Sequence, residues 1–72
     1  MSRPPTRDRL IQAALSLFVS QGIAETTTKE IAEQAEVNEV TLFRHFGNKY
    51  GLLLAVIGEG TALEQVEQIL VQ

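Results

Sequence analysis

The chain has no cysteine, so disulfides and thiolate metal sites are excluded, in keeping with a reducing compartment. It has one histidine and no phosphate-cradling glycine loop. No catalytic constellation can be assembled from that inventory, and neither an enzyme, a cofactor nor a metal site is expected. Long apolar runs are missing too. The longest, Leu52 to Ile57, is far too short to span a bilayer. The opening MSRPPTRDR lacks the apolar core of a signal peptide, which makes the expected location cytoplasmic. There is no internal repeat or low-complexity tract. Basic residues are absent after Lys49.

What is present fits one small domain of 72 residues, 44% apolar and 21% charged. A domain of that size buries only about 60% of its unfolded surface and has marginal stability. The net charge of −3 argues mildly against a polyanionic partner, but the acids are unevenly placed. Arg3, Arg7, Arg9, Lys29, Arg44 and Lys49 balance Asp8, Glu25, Glu30, Glu33, Glu36 and Glu39, while Glu59, Glu64 and Glu67 sit unopposed in the tail. Binding a polyanion needs a local basic surface, not a basic average.

Met1 to Pro5 forms a short basic arm, held out of helix by Pro4 and Pro5. It is either a disordered start or an arm that touches phosphate. The spacing of Leu10, Ala14, Leu17 and Phe18, widened by Ile11 and Leu15, predicts a first helix over 6–21. Thr6 is its expected cap, Asp8 suits its first turn, and Gly22 is its expected left-handed stop, with Ile23 folding back on Phe18. So wide an apolar face calls for more than one packing partner. Thr27, Thr28, Lys29 and Glu30 spell a capping box for a second helix ending near Ala35. Glu36 and Val37 make a turn, and Asn38 caps a third helix, with Val37 and Leu42 as a hydrophobic staple. Gly47 closes that helix, and Asn48 caps a fourth that begins at Lys49. Thr61 to Glu64 is another possible capping box ahead of Leu63, Val66, Ile69 and Leu70. Residues 58–72 either continue the fourth helix, bent near Gly58 and Gly60, or form a fifth.

The third helix holds the chemical interest. With Leu42 and Phe46 facing inward, a rotation of roughly 100° per residue sends Val40, Thr41, Phe43 and Arg44 outward, with His45 oblique. An outward Val and Phe suit a thymine methyl or a sugar, Arg44 can fork onto a guanine edge, and Thr41 can donate to a phosphate or base. The same pattern also suits a solvated bundle with Phe43 packed on the first helix and His45 near the last carbonyls of its own. A further alternative is a helical protein-interaction or dimerisation module, built on LLLAVI and the later Leu63, Val66, Ile69, Leu70 stripe, with no nucleic acid involved.

The ordered set VNEVTLFRHF at 37–46, then Gly47-Asn48-Lys49 and Leu52-Leu53, resembles the signature of TetR-family transcriptional regulators. Phe18, Gly22, Thr27-Thr28 and Ile31-Ala32 match upstream, so the likeness covers about residues 7–57. The resemblance implies an all-α, homeodomain-like three-helix unit over 6–47, with a flexible arm at 1–5. Over 48–72 it implies a fourth helix and the start of a link to a ligand-binding and dimerisation domain that lies outside this chain. The chain would then be the reading head alone, an excised fragment or a truncated product. The implied partner is double-stranded DNA, entered at the major groove by helix three. The intact protein would be a homodimer, usually a repressor, answering a small-molecule effector through the missing domain. By position, Thr28 and Lys29 would touch phosphate or bases, Glu39, Val40, Thr41, Arg44 and His45 would face the groove, and Lys49 would grip phosphate. Phe43 stands where the family has a tyrosine and brings only apolar contact. Val40 replaces a common glycine or proline, Glu36 a usual glycine, and Tyr50-Gly51 an acidic or alanine pair. Glu39 meets DNA with like charge unless it accepts from a cytosine amino group.

Overall fold

In the computed structural model, residues 3–58 are described. They form four helices and no strand: α1 Thr6–Gln21, α2 Thr28–Ala35, α3 Glu39–Phe46 and α4 Lys49–Gly58. The choice of residues 58–72 between a bent fourth helix and a fifth, and the stripe within them, falls beyond Gly58 and outside the described residues.

The α1 helix is the platform. Leu10, Ile11, Ala13, Ala14 and Phe18 are buried on it, and it packs against both α2 and α4, as its wide apolar face requires. From α2 come Ile31, Ala32 and Ala35, from α3 Leu42, and from α4 Leu52 and Val56. Four of the six LLLAVI residues thus lie inside or against this core, Leu52 and Val56 buried and Leu53 and Ala55 packed at its edge. Each fully buried Leu or Ile contributes about 1.5–3 kcal/mol, the main return available to so small a domain.

Two expectations at the ends of α1 are corrected. Thr6 is the first helical residue, and the cap position belongs to Pro5, with no side-chain capping bond. The proline ring presets φ at −54°, and the Pro5 carbonyl takes the Arg9 N–H at 3.0 Å, so the helix starts without a hydroxyl. Gly22 stops α1 at positive φ, but its φ of 90° and ψ of 157° are extended rather than left-handed helical. Only glycine enters that region readily. Its N–H still donates to Phe18 O at 3.0 Å, and Ile23 packs against the core.

The capping box forms in full. Glu30 N–H donates to Thr27 Oγ1 at 3.1 Å, and Thr27 N–H donates to Glu30 Oε1 at 3.0 Å. The donation from the Thr27 backbone holds the Glu30 carboxyl below its ordinary pKa against the opposing pull of desolvation, with smaller help from the Thr27 and Gln21 side chains. At the far end of α2, Glu36 lies at φ 62°, ψ 43°. Its N–H donates to Glu33 O at 3.1 Å and that of Val37 to Ala32 O at 3.0 Å, the paired closure usually made with glycine. A residue with a Cβ pays roughly 1–2 kcal/mol for that conformation.

Candidate nucleic-acid interface

Both ends of α3 are fixed. Asn38 Oδ1 accepts from Thr41 N–H at 2.9 Å, and Val37 and Leu42 both join the core, as a staple demands. Gly47, at φ 85°, closes the helix and donates to Phe43 O at 2.9 Å. Asn48 Oδ1 then accepts from Gly51 N–H at 2.8 Å, starting α4 at once. Leu42 is fully buried, and Phe46 is half-buried with the Arg7 guanidinium 5.7 Å from its ring centre. The helix cannot roll without breaking these anchors.

Its other flank is open. Val40 is 57% exposed and Phe43 43%, and Arg44 and His45 are exposed beside them. Phe43 is not among the hydrophobics buried in the core or packed against it. Thr41 is half-buried, and its hydroxyl donates to Asn38 Oδ1 at 3.0 Å. Its proton is thus committed, and the hydroxyl has acceptor capacity left rather than the free proton expected from sequence. Among the described residues, the side chains of Lys29 and Arg44 make no hydrogen bond or ion pair, so their donors are available to an incoming group. His45 lies 5.9 Å from the Phe46 ring, centre to centre.

Besides Thr41, three of the expected contact residues, Thr28, Glu39 and Lys49, carry internal side-chain bonds. Thr28 Oγ1 donates to Glu39 Oε2 at 2.7 Å, joining the first residue of α2 to the first of α3. The Lys49 ammonium donates to Ile23 O at 2.8 Å and Thr26 O at 3.0 Å, and stands 5.7 Å from the Tyr50 ring centre. Two of its three N–H groups therefore tie the loop between α1 and α2 to the head of α4, and one remains.

The sequence assigned Arg9 nothing beyond its charge and assigned Thr26 no role. Arg9 donates to Ala35 O at 3.2 and 3.0 Å and to Glu36 O at 3.4 Å, clamping the strained turn from α1. Arg3 adds an ion pair to Glu36 at 3.1 Å between exposed side chains. Arg3 thus lies over the turn of its own domain. Thr26 is fully buried and donates to Gly22 O at 2.8 Å and Leu17 O at 3.2 Å, pinning the loop ahead of α2. The one advance signal for Arg9 was Glu36 itself, a side chain where a turn wants none. Thr26 gave no signal beyond its place beside the capping box.

Among the described residues, no group of acidic and histidine side chains could hold a metal, and no helix is long and apolar enough to cross a membrane.

Two short helices joined by a closed turn, the second anchored by one flank and bare on the other, define a helix-turn-helix unit. The family described as bacterial regulatory proteins, tetR family, matches residues 10–56, and the chain belongs to it. It is 48% identical over 68 residues to the uncharacterised HTH-type transcriptional regulator YvkB of Bacillus subtilis (strain 168), covering 88% of this chain and 36% of that protein. It is 50% identical over 52 residues to the HTH-type transcriptional regulator TcmR of Streptomyces glaucescens, covering 72% of this chain and 23% of that one. With the HTH-type transcriptional repressor Rv3405c of Mycobacterium tuberculosis (strain ATCC 25618 / H37Rv) it shares 41% identity over 58 residues, 79% of this chain and 31% of that one. The chain therefore spans only about a quarter to a third of the length of these relatives. No solved structure matches it significantly.

Proposed function

We propose that this chain is the DNA-reading head of a transcriptional repressor, which lays the open flank of α3 in the major groove of a specific duplex. The observation that carries this reading is the asymmetry of α3. Leu42 is fully buried on one side, while Arg44, with no side-chain bond among the described residues, stands exposed with Val40 and Phe43 on the other. A guanidinium so placed matches the O6/N7 edge of guanine, and Val40 and Phe43 match a thymine methyl or sugar. His45 and Thr41, the latter as an acceptor, extend the reading row. Lys29, and the third N–H of Lys49, set position on phosphate. The repressor sense rests on the printed name of Rv3405c.

In the intact protein two heads would occupy half-sites about 34–36 Å apart, and an effector bound elsewhere would change their separation. A lone head binds weakly, since the effective concentration that a tethered second head supplies is missing. The test is the base preference of Arg44→Ala on selected duplexes. One position should lose about 1–3 kcal/mol of discrimination while the others keep theirs. An unchanged profile removes Arg44 from the reading row.

The reading without nucleic acid, a protein-docking module, keeps one observation. Tyr50, Leu54 and Ile57 are exposed along one stripe of α4, at 61%, 71% and 42%. Sedimentation with and without duplex DNA separates the two. Self-association with no DNA-induced shift would favour the docking module.

A further inference from the structure

We propose that Thr28 is not a phosphate contact but a positioning residue for Glu39, and that the pair turns the first turn of α3 into a cytosine-selective acceptor. This rests on the DNA-reading function proposed above and names one element of its specificity.

Thr28 opens α2 and Glu39 opens α3, so their bond joins the two helices at their leading ends. At 2.7 Å from hydroxyl to carboxylate it has the length of a charge-assisted bond. Both side chains are half-buried, which favours one orientation over a freely rotating carboxylate. The Thr28 proton is committed to Oε2. Among the described residues Oε1 has no hydrogen-bond partner, and its lone pairs remain available. A carboxylate repels phosphate, so at the leading end of a groove-facing helix it can only accept from a base. Guanine presents two acceptors there and is rejected. Adenine presents an amino donor beside the N7 acceptor, which opposes the second carboxylate oxygen. Cytosine presents an amino donor with no acceptor on its own edge. An acceptor with no proton to give therefore selects cytosine, provided its carboxylate is held in place. Holding it is the work of Thr28.

The test compares the full chain with Thr28→Val, Thr28→Ser and Glu39→Gln, reading base preference on randomised duplexes and affinity against salt. Thr28→Val keeps the shape and removes the proton. It should cut the cytosine preference at one position roughly three-fold and leave the salt slope unchanged. Thr28→Ser should keep the preference. Glu39→Gln, which can both donate and accept, should move that position from cytosine towards adenine by on the order of ten-fold. A salt slope reduced by about one in Thr28→Val, with its base profile intact, would overturn the proposal and make Thr28 a phosphate contact. Wild-type preferences that neither Thr28→Val nor Glu39→Gln alters would overturn the pairing alone. A wild type with no preferred base at any position would overturn the DNA reading beneath it.

Discussion

The turns at the two ends of α3 solve the same problem by opposite means. Before the helix, the chain reverses through Glu36, a side-chain-bearing residue at φ 62°, and Arg9 and Arg3 reach in from outside to hold it. After the helix, it reverses through Gly47 at φ 85°, and the next helix starts within two residues under Asn48. The first turn is a clamped strain, the second an unstrained glycine followed by close packing. Gly51 is the sign of that packing, since a Cβ there would overlap the Phe46 carbonyl oxygen. The two designs should therefore fail differently. The first depends on a distant side chain, the second on the absence of one.

The largest effect is expected at the second turn. Gly51→Ala should destabilise the head by about 1–3 kcal/mol, because backbone must move to admit the methyl. Urea unfolding gives the value, and an unchanged midpoint would mean that α3 and α4 are looser than described. Arg9→Ala comes next, at about 1–2 kcal/mol, since the Ala35 carbonyl loses both its guanidinium donors. Glu36→Gly should act in the opposite direction and raise stability by up to about 1 kcal/mol, the lost exposed ion pair to Arg3 offsetting only a few tenths. A fall on Glu36→Gly would show that the turn is not strained. The smallest effect is one of pH. The Glu30 pKa is depressed in the fold, so its contribution is present above the ordinary carboxylate range and lost as pH falls through the lowered value. Glu30→Gln should remove that component from a stability-against-pH curve, and an identical acid limb would exclude it.

The contrast also explains which parts could be read from the chain. The capping box at Thr27 and Glu30, the caps at Asn38 and Asn48, the Val37 staple and the stop at Gly47 all act within a few residues of one another, so spacing alone exposes them. The two flanks of α3 follow from a helix period applied to Leu42. Arg9 on the Ala35 carbonyl and Lys49 on the Ile23 carbonyl each reach across 26 positions. Long, flexible cations can meet many carbonyls, and no local pattern says which. The Thr28–Glu39 bond spans 11 positions and depends on how two helices sit together. The start of α1 misled for a different reason. A threonine after two prolines looks like a cap, but the proline ring already sets the entry and moves Thr6 inside the helix.

The central claim is that the open flank of α3 meets DNA. A titration of labelled backbone amides with a selected duplex tests it most directly. The account predicts shifts concentrated at Lys29 and from Glu39 to His45, weakening as salt rises. Shifts confined to Tyr50, Leu54 and Ile57, with the α3 amides unmoved, would contradict it.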